Sequence, residues 1–135
     1  MFKFTPTQMA ARGENAFIRR LDSALLARRV PGWGDGAAEE RDAWLREAVA
    51  RARLRGFTSE QGVVSYVLGA AFMDIGFEDR SPLLLQLLAA PLPELRRSHG
   101  MNDWVADQLR PGATPDSGDA AIRRSFAATE AWGRR

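Results

Sequence analysis

Apolar positions recur every three or four residues along most of the chain, and this spacing predicts helices rather than strands. Residues 58–75 form the most apolar stretch, because apolar side chains there are not confined to one stripe. A helix that is apolar around most of its circumference is buried by neighbours on several sides. We therefore predict an all-α fold, a compact bundle of five or six helices around a buried central helix at about 58–75.

Local signals set the ends of this central helix. Thr58 and Gln61 have the spacing of a capping box, in which each side chain satisfies a free backbone N–H group. Gly76 is placed to end the helix in a left-handed conformation. Gly69 lies in the middle, where glycine costs about 1 kcal/mol relative to alanine. We therefore expect another backbone to cross closely at Gly69.

The other helices follow from the same kinds of signal. Thr5 and Ser81 each precede a proline, the arrangement that favours a helix start. Gly100 and Asn102 are expected to kink or split the fifth helix. The predicted stretches are 5–29, 37–55, 81–90, 93–110 and 119–132.

The C-terminal part is predicted to be separate from the bundle. A polar, turn-rich segment follows residue 110, so we assign 1–110 to a helical bundle domain and 111–135 to a linker and an amphipathic docking helix. Ile122, Phe126 and Trp132 supply the apolar stripe of that helix, and we predict that they contact a partner. Whether the helix docks on its own chain or on another is left open.

Charge is unevenly distributed, although the net charge is only +2. Residues 1–34 carry six basic and two acidic side chains, a difference of +4. We predict that this basic surface contacts a partner protein, with Trp33 as an apolar anchor, because Arg and Trp dominate many interfaces. Trp33 as a plug over the core is the alternative. The predicted charged contacts are Arg12, Arg19, Arg20, Arg28 and Arg29.

No pattern of catalytic or metal-ligating residues is present in the sequence. The chain has no cysteine and one histidine, His99, and lacks the Gly-x-Ser-x-Gly elbow of a serine hydrolase. We predict no cofactor, no metal and no enzymatic activity. The carboxylates of Asp74, Glu78 and Asp79 are expected to pair with Arg80, and a small enzyme using this acidic loop is the alternative.

Nucleic-acid binding is a further alternative. The end of the second helix, Gly56 and the central helix superficially match a helix-turn-helix, but the second helix of that motif presents polar side chains to bases. The central helix is apolar instead. The basic N-terminal region keeps a nucleic-acid-binding regulator open.

Several segments resemble a known group of proteins. They are residues 53–60 (Arg-Leu-Arg-Gly-Phe-Thr-Ser-Glu), the apolar helix that follows, the acidic loop up to Ser81-Pro82, and the opening Phe-Thr-Pro-Thr-Gln-Met-Ala-Ala. Together they resemble small helical proteins encoded beside type VI secretion components and their toxins in Gram-negative bacteria. The resemblance covers residues 1–90. It departs from that group at Gly76-Phe77, where relatives have Gly-Pro, and at Leu83, where they have Trp.

This resemblance implies a non-enzymatic interaction protein: an immunity protein, chaperone or adaptor for a secreted effector. The partner would be another protein, a toxin or a secretion component, and a second copy of the chain is also left open. The first residues lack the apolar region of a signal peptide, and the apolar run is too short and too flanked by charge to span a membrane. We therefore expect a cytoplasmic protein without a membrane partner.

Overall fold

The computed structural model describes residues 5–126, with side chains described for Thr5 and from Arg12 onward. Two short 3-10 turns, at Trp33–Asp35 and Phe77–Arg80, interrupt a succession of helices. No strand occurs among the described residues, which confirms the predicted all-α bundle. The helices are α1 (Pro6–Ala27), α2 (Ala38–Leu54), α3 (Glu60–Met73), α4 (Pro82–Ala89), α5 (Glu94–Gln108) and α6 (Pro115–Phe126).

Contacts within the chain divide it into two units, and the division falls inside α2, between Glu47 and Ala48. In the first unit, Asp22 of α1 accepts hydrogen bonds from Trp33 Nε1 (3.0 Å) and Arg41 Nε (2.9 Å). This carboxylate joins α1, the first 3-10 turn and the start of α2. Among the α1 side chains from Arg12 onward, the buried large ones recur at helical spacing: Phe17, Ile18, Leu21 and Leu25.

The second unit contains α3 to α6, and α5 packs against α3, α4 and α6. The predicted boundary at 110/111 therefore does not separate α6 from the helices before it. α6 begins at Pro115, inside the segment predicted as a linker. Thr114 and Ser117 explain this start, because the backbone N–H of each donates to the other's hydroxyl.

The central helix α3 is shorter than predicted. Its N-cap is Ser59 and not Thr58: Ser59 Oγ accepts from the Gly62 backbone N–H at 3.0 Å. The helix ends at Met73, and Gly76 has the left-handed conformation we predicted (φ +88°) but caps the second 3-10 turn. Its buried residues are Gly62, Val63, Tyr66, Val67, Gly69 and Ala70.

Two glycines mark places where side chains come close to a helix backbone. A Cβ atom on Gly69 would lie 3.0 Å from Phe77 Cζ, so the predicted close approach is made by a side chain rather than a backbone. A Cβ on Gly100 would lie 2.4 Å from Leu87 Cδ2. The split expected at Gly100 and Asn102 does not occur, because α5 is one helix from Glu94 to Gln108, and Gly100 makes room for Leu87 of α4.

Candidate functional site

The acidic loop after α3 contains the most deeply buried charge among the described residues. Glu78, on the second 3-10 turn, is fully buried. Its Oε2 accepts from Arg51 Nε (3.0 Å) and Arg55 Nε (2.7 Å), and its Oε1 accepts from the Tyr66 hydroxyl (2.7 Å). Two arginines, Arg51 of α2 and Arg55 directly after its end, therefore replace the predicted partner Arg80.

The neighbouring carboxylate of Asp79 binds the same two arginines. Arg51 Nη2 lies 2.6 Å from Asp79 Oδ2, and Arg55 Nη2 lies 2.9 Å from Asp79 Oδ1. Arg51 and Arg55 are four residues apart, and the Arg55 N–H donates to the Arg51 carbonyl as it would in a helix. Their side chains therefore lie on the same side and hold two consecutive carboxylates. We call these two arginines with Glu78, Asp79 and Tyr66 the carboxylate clamp.

Within the clamp, the charge of the fully buried Glu78 is stabilised by hydrogen bonds in place of solvent. Burial alone would raise the pKa of Glu78, but hydrogen bonds from Arg55, Tyr66 and Arg51 outweigh it and hold that pKa below its usual value. Burial also raises the pKa of Tyr66, whose hydroxyl accepts from the Gly76 N–H at 3.1 Å. A general acid or base works best with a pKa near the working pH. The lowered pKa of Glu78 thus favours a structural role for the loop.

A second carboxylate, Glu94 at the start of α5, joins two helices. Its Oε1 accepts from the Thr58 N–H (3.1 Å), the Ser59 N–H (3.0 Å) and Ser59 Oγ (2.8 Å), and its Oε2 accepts from Thr58 Oγ1 (3.1 Å). Burial would raise the pKa of Glu94, but hydrogen bonds from Ser59 and Thr58 lower it. The sequence analysis missed Glu94, because its partners precede it by 35 and 36 residues.

The arginines predicted to contact a partner are all exposed in the structure. Arg12 and Arg19 lie seven residues apart on one side of α1, whereas Arg28 and Arg29 follow its end at Ala27. Arg20 places its guanidinium carbon 5.6 Å from the centre of the Phe17 ring. The basic surface predicted from the sequence is therefore accessible along α1 and just beyond it.

Trp33 is half-buried in the first 3-10 turn. Its ring packs edge-on against Trp44 with 5.2 Å between centroids, and its indole N–H donates to Asp22. These contacts within the first unit support the plug alternative for much of the ring.

Two of the C-terminal residues predicted to contact a partner are not exposed. Ile122 and Phe126 are buried, and α6 packs against α5. The guanidinium carbon of Arg96 lies 4.2 Å from the centre of the Phe126 ring. Neither residue offers an exposed docking face while α6 keeps this position. Trp132 lies outside the described residues.

Among the residues that the structure describes, no catalytic triad forms around the single histidine. His99 is exposed, whereas its neighbour Ser98 is buried and donates to the Leu95 carbonyl at 2.9 Å. Asp103 accepts from Ser125 Oγ at 2.6 Å. Within residues 5–126, no group of three His, Asp or Glu side chains could hold a metal ion.

Comparison with known proteins adds no relative, since no family model, curated protein or solved structure matches the chain. Among the helices that the structure describes, none is both long and apolar enough to cross a bilayer.

Proposed function

We propose that this chain is a cytoplasmic, non-enzymatic protein–protein interaction module, serving as an immunity protein, chaperone or adaptor for a secreted bacterial effector. The observation that carries the proposal is the exposure of all five arginines on and just after α1. Exposed arginines attract an acidic partner and raise its association rate. The class of effector follows from the sequence resemblance alone.

The carboxylates support the proposal by contrast. Glu78 and Asp79 are held by arginines of their own chain, so the acidic loop presents no pair of unengaged carboxylates to a substrate. The basic surface on and just after α1 carries five exposed arginines instead. Its charge therefore makes it a better candidate contact than the loop.

The test is co-purification with the product of the neighbouring gene, followed by binding kinetics. Changing Arg19 and Arg20 together to Glu should slow association and flatten its dependence on salt, because salt screens attraction between exposed charges. Arg123→Glu with Arg124→Glu, on the exposed side of α6, is the matched control for a double charge reversal elsewhere. Unchanged association in the α1 variant would remove this surface from the proposal.

Trp33 separates two roles in the same assay. Trp33→Ala should lower the melting temperature, because it removes the contacts with Asp22 and Trp44. Trp33→Phe keeps a six-membered ring against Trp44 and loses the five-membered ring with its indole N–H. If Trp33 is also an interface anchor, the alanine variant dissociates faster by a factor equivalent to about 2 kcal/mol or more.

A nucleic-acid target would instead appear as tight DNA binding that weakens steeply with salt.

A further inference from the structure

A groove in the second unit has an apolar floor and a cation at one wall. It encloses about 390 Å³ and lies among the end of α2, the loop at Gly56, and α4. The apolar lining comes from Leu54, Leu85, Leu88, Ala89 and Ala90. The polar side chains of the lining are Arg55 and Arg97, and no carboxylate lines it.

Arg97 differs from the other arginine of the groove in having no anion beside it. Arg55 is paired with Glu78 and Asp79. Arg97 donates only to backbone carbonyls, from Nε to Leu92 (3.1 Å), from Nη1 to Leu88 (3.1 Å) and from Nη2 to Gly56 (3.5 Å). A guanidinium has five N–H donors, so two remain. No ion pair of Arg97 occurs within the described residues, and the other group near this half-buried charge is the Phe57 ring, whose centre lies 5.6 Å from the guanidinium carbon.

The lip of the groove exposes apolar surface. Leu54, in the last turn of α2, is 70% exposed, more than any other large apolar side chain that the structure describes. Leu85 is half-buried, and Leu88 is buried at the floor. A ligand that covers Leu54 and Leu85 removes apolar area from water, and a carboxylate on the same ligand neutralises Arg97.

We propose that this groove binds a segment of a partner protein in which a large aliphatic side chain stands next to a carboxylate. The volume holds a few residues and not a folded domain. The aliphatic side chain lies against Leu54 and Leu85, and the carboxylate accepts from the remaining N–H groups of Arg97. The inference shares with the proposed function only that the ligand is a protein, since the groove lies in the second unit and uses none of the arginines of α1.

A second groove of the same unit differs from the first in the charges that line it. It encloses about 430 Å³ beside α5 and α6, and Asp103 and Asp107 line it together with Arg110 and Arg124. Asp107 already pairs with Arg110 and accepts from Ser117 Oγ at 2.5 Å. This second groove thus contains carboxylates as well as cations, so its charge does not favour an acidic ligand.

The test uses the full chain and two synthetic peptides. One is a blocked hexapeptide that alternates leucine with glutamate, and the other carries glutamine in place of each glutamate. Methyl and arginine side-chain NMR spectra should show saturable shifts at Leu54, Leu85, Leu88 and Arg97 with the acidic peptide. The neutral peptide should bind about tenfold more weakly, the factor that corresponds to about 1.4 kcal/mol.

Leu54→Ser is the decisive variant, because a side chain 70% exposed contributes little to folding. It should weaken peptide binding about tenfold while leaving the melting temperature unchanged. Leu109→Ser, with an exposed fraction of 50% and outside the groove, is the matched control and should bind as the original chain does. Arg97→Lys keeps the charge but loses the paired donors, and a lower melting temperature in that variant reports its bonds to carbonyls.

Three results would overturn the proposal. The first is the absence of saturable shifts in the groove at millimolar acidic peptide, and the second is equal binding of both peptides. The third is a set of groove shifts that grows with protein concentration alone, which would assign the groove to a second copy of the chain. Loss of partner binding by the α1 variant leaves this peptide experiment unaffected, so the two proposals fail separately.

Discussion

Two carboxylates of the second unit join helices by different physical means. Glu78 is fully buried and is bound by two cations and a phenol, whereas Glu94 is half-exposed and is bound by two backbone N–H groups and two hydroxyls. The first arrangement compensates the desolvation of a charge with opposite charge. The second places a carboxylate at the N-terminus of α3, where free N–H groups and the helix dipole favour it.

The difference teaches which contact tolerates change. Removing one member of a buried ion pair leaves the remaining charges desolvated and without a partner, which costs more than the pair itself contributed. Removing a half-exposed cap lets water take its place at the same N–H groups. We therefore expect the carboxylate clamp to be far less tolerant of substitution than the contact around Glu94.

The largest expected effect is that of Glu78→Ala. Arg51, Arg55 and the Tyr66 hydroxyl all lose their buried acceptor. Because Asp79 still binds both arginines, the free energy of unfolding should fall by about 3 kcal/mol, the low end for a broken buried pair. Urea unfolding followed by circular dichroism measures the change. Asp79→Asn is the matched control, because the Asp79 side chain is 56% exposed and surface ion pairs contribute about 0–1 kcal/mol. Equal losses in the two variants would contradict a special role for the buried member.

The clamp also shows what sequence reasoning could not find. In the sequence, Arg51 and Arg55 are explained by their place at the C-terminal end of the second helix, where the helix dipole favours cations, and that local explanation needs no further partner. Their contacts with Glu78 span 27 and 23 residues. Helical spacing places Arg51 and Arg55 on the same side of the chain at the end of α2. Only the packing of this end against the loop selects which carboxylate the two arginines bind.

The same limit explains the errors at helix ends. Ser81-Pro82 was predicted correctly, because Ser81 Oγ accepts from the Leu84 N–H three residues later. Thr58 was predicted as an N-cap on equally good local grounds, yet its hydroxyl binds Glu94 and the cap passes to Ser59. Thr114-Pro115 carries the same Ser/Thr-Pro signal as Ser81-Pro82 and was overlooked, so the sequence did contain the start of α6.

Gly62→Ala should break the Glu94 contact without touching the carboxylate itself. A Cβ at this position would lie 2.0 Å from Glu94 Oε1 and 2.8 Å from Phe57 Cδ1, so the carboxylate must leave Thr58 and Ser59. The lost cap costs about 1 kcal/mol, and the better helix propensity of alanine offsets part of it. Amide exchange at Thr58 and Ser59 should accelerate, as it should in Glu94→Gln.

A double-mutant cycle sharpens this prediction. If Gly62→Ala acts through Glu94, its cost should shrink in a Glu94→Ala background, because the carboxylate it displaces is already gone. Gly13→Ala in α1 is the matched glycine substitution, since nothing lies within 4 Å of a Cβ there. An unchanged cost of Gly62→Ala in both backgrounds would assign the effect to Phe57 instead.

The smallest effect concerns acid. The pKa values of Glu78, Glu94 and Asp107 are all lowered in the folded chain, by the hydrogen bonds that hold each carboxylate. A carboxylate whose folded pKa lies below its unfolded value contributes stability above the unfolded value, about 4.3 for Glu, and loses it as the pH falls through the folded value. The free energy of unfolding should therefore decline below about pH 4.

Glu94→Gln removes one of these titrations, so its curve of unfolding free energy against pH should have a shallower acid limb than that of the original chain. The two curves should lie closer together at low pH. Because high salt screens the half-exposed Glu94 more than the buried Glu78, that difference in slope should shrink in high salt, whereas the corresponding difference for Glu78→Gln should persist. Parallel acid limbs for Glu94→Gln and the original chain would show that the bonds from Thr58 and Ser59 do not distinguish the charged carboxylate from a neutral acceptor.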